Sequence, residues 1–318
     1  VALGFLNENS DCYGDPITMP DMEKAVERLK RAQADDELVA VYGDYDVDGI
    51  TALSLMLRCF REKKVRCTGY IPDRLDEGYG LNCEAISFLN EKGVSLIVTV
   101  DCGITAVKEV EYARNLGIDV IITDHHECKD VLPDAVAVVD PKRADCDYKF
   151  KDFAGVGVAY KLICALFGKN SKQFNLDLYS PLVAIGTVAD VMPLIGENRA
   201  IVRHGLDMML ETPIVGLKQL LQTVGLGENG ITTANIGFIL APRINAAGRM
   251  GKARLAVDLL LTDDNAEAKR LAEELNALNR ERQQVENDIF VEAKERLRFE
   301  HEVGDVVVMA GERWHQGV

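Results

Sequence analysis

Relative to its size, this sequence has little positive charge. Lysine and arginine number 36 against 51 aspartates and glutamates, a formal net charge of −15. That balance excludes broad, nonspecific binding to nucleic acid, which needs a basic surface. It leaves room for a narrow site that grips a phosphate chain through metal ions and a few arginines. Long hydrophobic runs are missing too: none approaches the ~20 residues that a membrane helix requires. The eight cysteines show no CxxC or zinc-type spacing, and Cys59, Cys102 and Cys164 fall in apolar or strand-end settings. Reduced thiols in a cytoplasmic protein are therefore expected, rather than a disulfide frame. Aromatics are only 6 % of the chain, and there is no internal repeat or low-complexity tract.

What is present is aliphatic pattern. Hydrophobic residues make up 47 % of 318, enough for two ordinary domains or one large one. Val39–Tyr42, Val65–Tyr70, Leu96–Val100, Val120–Thr123 and Val136–Val139 are short runs rich in β-branched residues. Amphipathic stretches lie between most of them, at Thr51–Glu62, Cys83–Lys92 and Thr105–Leu116. Strands alternating with helices of this length predict βαβ units and a parallel sheet flanked by helices. The strands are continuously apolar, as in a sheet covered on both faces.

Beyond residue 150 the pattern turns helical, at Ala154–Phe167, Leu178–Val191, Ala200–Met209 and Thr233–Leu240. Asn265–Glu300 is polar, free of Gly and Pro, and predicts one long, largely exposed connecting helix. Val306–Met309 is expected to be a strand. The division expected is an α/β unit over 1–200, a helical extension over 201–264, the connecting helix over 265–300, and the start of a truncated second domain over 301–318. The chain opens on Val1 and closes on GERWHQGV, just after a strand-like run; a fragment cut at both ends is expected.

Four polar clusters lie at the carboxyl ends of strands or on a following helix. They are Asp44, Asp46 and Asp48 before Gly49; Asp101-Cys102-Gly103; Asp124-His125-His126; and Asp190. Singly, an aspartate after a strand is most often a helix cap or a turn residue. Jointly they fall where an open parallel sheet lines its ligand crevice. Several carboxylates meeting there repel one another, and burial raises their pKa values. Divalent cations remove the conflict. Oxygen and imidazole donors together suit Mn²⁺ or Mg²⁺ better than Zn²⁺. Asp46 and Asp48, two apart, would point to one side of an extended segment and serve neighbouring ions, with Asp101 able to bridge. A bridged pair ~4 Å apart suits an in-line phosphoryl displacement. Gly49 lets the chain turn sharply into the next helix.

DYDVDG (44–49), VDCG (100–103), TDHH (123–126) and VADVMPL (188–194), in this order, resemble the four motifs of the DHH phosphoesterase family. PDRLDEGYGLN (72–82), AGVGVAYK (154–161) and APRINAAGRMG (241–251) extend the likeness over nearly the whole chain. The first four motifs specify the superfamily; EGYGLN and PRINAAGR resemble its single-strand-specific 5′→3′ DNA exonuclease branch. The resemblance implies two ions, Mn²⁺ or Mg²⁺, with Asp46, Asp48, Asp101, His125 and Asp190 as ligands. It implies that His126 contacts the scissile phosphate, and that Asp44 either binds metal or orients a ligand. The second domain would be of the DHHA1 type. Two positions depart from the family: Tyr42 stands where some relatives carry a metal-binding histidine, and Ala241 replaces a usual glycine.

Arg243, Asn245 and Arg249, with small residues between them, form a pocket for substrate phosphates on this reading. Tyr79, between glycines and near Arg74, is placed to stack on a base, or else is a structural turn. For the glycines of GVG at 155–157 close helix packing is the expectation, and N–H groups offered to an anion the alternative. The basic stretch Arg58–Arg66 reads as a solvated helix end.

The implied activity is metal-dependent phosphodiester hydrolysis, freeing 5′-mononucleotides from single-stranded DNA with a 5′ end, in DNA repair and recombination. Implied partners are a RecQ-type helicase and single-strand binding protein; a monomer without membrane contact is expected. Two alternatives stay open. One is a phosphoesterase acting on short oligoribonucleotides, bisphosphorylated adenosine, cyclic dinucleotides or pyrophosphate. The other is a non-catalytic replication scaffold.

Overall fold

The computed structural model describes residues 14–74, 76–168, 170–171, 174–226, 230–298 and 306–318. Cys12, Leu75 of the 72–82 motif and positions 299–305 lie outside the described residues.

Five parallel strands form the sheet: β1 (Leu38–Gly43), β2 (Cys67–Tyr70), β3 (Val94–Val100), β4 (Asp119–Thr123) and β5 (Ala137–Val139), in the order β2-β1-β3-β4-β5. The continuous apolar runs arise because both faces are covered. Side chains alternate across a strand, so Val39 and Val41 enter one core while Ala40 and Tyr42 enter another. The first core is covered by α1 (Met22–Ala34), α2 (Val47–Glu62) and α5 (Gly155–Phe167). The second lies under α3 (Cys83–Glu91) and α4 (Val107–Asn115).

α6 (Ser180–Ala189), α7 (Gly196–Asp207) and α8 (Val215–Thr223) continue the first core. A helix α9 follows, made of Thr233–Asn235, a π-helical turn Ile236–Leu240 and Ala241–Arg249. Then come α10 (Ala253–Leu261) and α11 (Asn265–Leu297). Asn170–Ser171 pairs antiparallel with Phe174–Asn175 as a separate two-stranded sheet. One hydrophobic core runs from Met19 to Leu275, so the helical region is packed onto the sheet unit.

Two expectations are corrected and one is refined. The long helix is largely exposed, as expected, but in its first turns Ala268, Leu271, Ala272, Leu275 and Leu278 form a buried stripe at helical spacing. From 280 to 298 no residue is buried. Residues 306–310 form no strand, and Val306 and Val308 are exposed; no strand among the described residues offers them a ladder. Arg58 is not a solvated helix end. It donates to the carbonyls of Leu260 (2.7 Å) and Thr262 (3.3 Å), joining α2 to the end of α10.

None of the seven described cysteines is in a disulfide. Among the described residues no helix is long and apolar enough to cross a membrane.

Candidate metal centre

Register assembles the site. Gly43 pairs with Val100, Val100 with Thr123, and Thr123 with Val139. The next residue of each strand therefore stands abreast of the others: Asp44, Asp101, Asp124 and Asp140. The Asp101 and Asp124 amides still donate to the Thr123 and Val139 carbonyls, each at 3.1 Å. All four carboxylates are buried.

Two ligand trios meet here, linked by a third. Asp44, Asp46 and Asp101 each place an oxygen within 4.8 Å of the others, and Asp48, His125 and Asp190 do the same through two oxygens and a ring nitrogen; Asp101, His125 and His126 form the third, which shares a residue with each. Asp101 joins them: its Oδ1 lies 3.0 Å from His125 Nε2, which is also 3.8 Å from Asp48 and 3.7 Å from Asp190. Asp101 carries φ = 61°, a left-handed backbone that costs free energy in most non-glycine residues.

The expected geometry of Asp46 and Asp48 needs correcting. The helix begins four residues earlier than its apolar pattern suggests. Asp46 is the cap, accepting the Gly49 amide at 3.0 Å, and Asp48 already lies inside α2. Helical turn rather than strand alternation sends the two carboxylates into different trios. Gly49 is needed for close approach: a Cβ there would sit 2.4 Å from the Asp44 carbonyl oxygen. The GVG glycines serve packing, and the helix start also serves an anion. The Gly155 and Val156 amides donate to Asp48 at 2.6 and 2.9 Å.

The electrostatics fit a cation. Burial, then Asp46, pushes the Asp44 pKa up to about 7, and burial with Asp46 lifts Asp190 to about 6. Burial and neighbouring carboxylates raise Asp48 and Asp101 as well. Burial, aided by His126, lowers His125 to about 4, so its ring is neutral at physiological pH, as a metal ligand must be. Asp44 Oδ1 and Asp101 Oδ1 are buried without a hydrogen bond among the described residues. Buried polar atoms are rarely left so. Crowded carboxylates, a neutral imidazole and orphaned oxygens are together the donor set of a divalent-cation site.

A stability test follows. A carboxyl raised in the fold favours the protonated native state. Its contribution is complete below the ordinary value of 3.8 and is lost as pH rises through the folded value, about 7 for Asp44. In EDTA, the urea midpoint of wild type is expected to fall between pH 5 and pH 8 by more than that of Asp44→Asn. Equal falls in the two proteins would contradict the buried-carboxylate account.

His126 is half-exposed and differently held. Asp124 Oδ1 takes its Nδ1 at 2.7 Å, and that bond raises the His126 pKa. Burial opposes Asp124's own ionisation, but hydrogen bonds from His126 and from the Ile104 and His125 amides hold its pKa below the ordinary value. The fixed ring leaves Nε2 for another partner. Tyr79, 53 % exposed, lies edge-on to His126 at 6.0 Å and reaches the Asp101 carbonyl at 3.4 Å. Arg74 lies over the Tyr45 ring at 5.2 Å. Tyr42 is no substitute ligand: fully buried in the other core, it donates to the Gly80 carbonyl at 2.9 Å and stacks on Tyr70.

A cleft of about 710 Å³ opens beside the cage, lined by Val47, Val191, Phe238, Asn245, Arg249 and Arg282 among others. Ala241 lines it where the π-helical turn passes into the last stretch of α9. Arg249 donates to the Gly317 carbonyl at 3.2 Å. Arg243 is not in this cleft. It donates to Asn276 Oδ1 (2.9 Å) and to the Ile239 carbonyl (2.6 Å), tying α9 to α11. These two bonds tie the guanidinium to the helix pair, and only Asn245 and Arg249 of the expected triplet line the cleft.

Known proteins match this arrangement. The model of the DHH family's N-terminal domain fits residues 38–187. A crystal structure of exonuclease RecJ bound to manganese superposes with a TM-score of 0.80 at 38 % identity, covering 86 % of this chain and 69 % of the other. The chain belongs to the DHH family, in its RecJ group. A structure of RecJ from Thermus thermophilus in complex with Mn²⁺ gives a TM-score of 0.81 at 34 % identity, covering 94 % of this chain and 43 % of that one. The single-stranded-DNA-specific exonuclease RecJ of Bacillus subtilis (strain 168) is 44 % identical over 314 residues. Those residues are 99 % of this chain but 39 % of that protein's length.

Three residues beside the trios and the cleft stand outside the expected set. Asp124, which holds His126, carries no expected role of its own. Asp140 follows a three-residue strand too short to advertise its end. Arg282 sits in a helix whose charges read as solvated.

Proposed function

We propose that this chain is the catalytic part of a metal-dependent, single-stranded-DNA-specific 5′→3′ exonuclease that frees 5′-mononucleotides in DNA repair and recombination. The observation that carries the reading is the pair of ligand trios joined at Asp101, beside a cleft bearing Asn245 and Arg249. Asp44, Asp46 and Asp101 would hold one Mn²⁺ or Mg²⁺ ion, and Asp48, His125 and Asp190 a second. Such ions, when bound, supply Lewis acidity: they acidify a water and offset phosphoryl charge.

The chain's own groups do the rest. Asp124 fixes His126 so that Nε2 donates to a phosphoryl oxygen. Arg249 and Asn245 bind strand phosphates, with Arg74 adding positive charge nearby. Tyr79 stacks on a base without reading it. Restriction to single strands is steric, since the cleft takes one chain. In this reading residues 1–200 form the catalytic unit, 201–264 bring the arginine helix, 265–300 connect, and 301–318 begin a DHHA1-like domain. A RecQ-type helicase and single-strand binding protein as partners, a monomeric state and a cytoplasmic location belong to the same proposal.

The test compares Mn²⁺-dependent rates on 5′-phosphorylated single-stranded DNA, duplex DNA, a dinucleotide and pyrophosphate. The single strand is expected to be degraded fastest, from its 5′ end. Preference for the dinucleotide or pyrophosphate would move the chain to the short-substrate phosphoesterases. Failure to bind Mn²⁺ in calorimetry would leave the scaffold.

A further inference from the structure

One arginine of the cleft belongs to no motif. Arg282 reaches into it from α11, beyond the turns that bury their apolar stripe. Its side chain is 17 % exposed, and its Nε is buried without a partner among the described residues. The hydrogen bond recorded for it runs from Nη1 to Glu286 Oε2 at 2.7 Å, one turn along the same helix. A guanidinium has five N–H donors in a planar fork, so this pair leaves most of the fork unused. Glu286 is 59 % exposed and lines the same cleft; an i,i+4 pair on a helix surface is a weak tie.

The surroundings are cationic. Burial first, then Arg74 and Arg282, lowers the Arg249 pKa. Arg249 therefore feels two other guanidiniums, of which Arg282 lines the cleft with it, and Glu286, also in the lining, offsets them in part. Such a group is relieved by an anion with several acceptor oxygens. We propose that Arg282 binds a backbone phosphate of the strand lying in the cleft, and that Glu286 occupies it between substrates and gives way when DNA enters. This rests on the exonuclease reading and adds a substrate contact from the long helix. α11 is then a wall of the site as well as a connector.

The experiment measures binding of the full chain to a 5′-phosphorylated, phosphorothioate-protected single strand in Mn²⁺, across a salt series. For Arg282→Ala the slope of log affinity against log salt is expected to fall by about 0.7, the loss of one phosphate contact on a single strand. The KM on unprotected DNA should rise about tenfold with kcat nearly unchanged. Glu286→Gln should bind more tightly than wild type, since it frees Arg282 and removes a negative charge. Arg270→Ala, which breaks pairs with Glu267 and Glu274 on the same helix, should change neither.

An unaltered slope in Arg282→Ala, or weaker binding by Glu286→Gln, overturns the inference. Should Arg282→Ala melt early, Arg282→Gln and Glu286→Gln carry the same test. A wild-type chain that binds no single-stranded DNA overturns the exonuclease reading instead. Wild-type binding with an unaltered Arg282→Ala slope overturns only the role of Arg282.

Discussion

Asp101→Asn is expected to give a folded, inactive protein that melts at a higher temperature than wild type when metal is absent. Asp101 is fully enclosed among Asp44, Asp46, Asp48 and Asp124, and burial first, then those charges, raises its pKa. The amide is isosteric, carries no charge, and belongs to the side chains that best tolerate a positive φ. It removes the desolvation cost and the repulsion at one stroke. Each kcal/mol gained should raise the melting temperature by about 2–4 °C, or somewhat less for a larger chain. The same change takes away the carboxylate that joins the trios, so the rise in melting temperature that Mn²⁺ is expected to give wild type should be lost. Activity should drop by about 10²–10³-fold or more. Scanning fluorimetry with EDTA and with Mn²⁺, beside a nuclease assay, reads all three effects. A fully active variant, or one less stable than wild type in EDTA, would sink the cage.

Gly155→Ala should do comparable damage from outside the ligand set. A Cβ at Gly155 would lie 2.4 Å from Asp101 Cβ and 2.6 Å from its Oδ1. Those atoms belong to a side chain with no room to retreat, so either Asp101 or the first turn of α5 must shift. That turn donates the Gly155 and Val156 amides to Asp48, and displacement reaches both trios. Overpacking of this kind costs about 1–3 kcal/mol, and a misplacement of ~1 Å at a reacting centre costs about a hundredfold in rate. Gly230→Ala is the control, since nothing lies within 4 Å of its added Cβ. Denaturant midpoints and rates of the two variants, measured together, decide the matter. Wild-type activity in Gly155→Ala would show that the cage tolerates movement.

Where expectation and structure diverged, context overrode local pattern. PRINAAGR announced three polar side chains, but the Ile239 carbonyl and Asn276 claim Arg243. Neither partner lies in the motif. α11 looked solvated because its composition is polar, while its first turns carry a narrow stripe that only the opposing helices make into a core. Val306–Met309 has strand composition and no neighbour among the described residues to pair with. Strand composition alone makes no ladder.

The parallel α/β architecture was legible in the chain, and so were the acidic and histidine positions that the fold brings together, since continuous β-branched runs ending in aspartate are a local signal. Which carboxylates fall into one trio was not legible. That depended on the register of β1, β3 and β4, on the helix starting at Val47 so that Asp48 turns away from Asp46, and on α6 bringing Asp190 to His125. These are relations between segments far apart in sequence, set by packing of the common core, and no window of the sequence contains them.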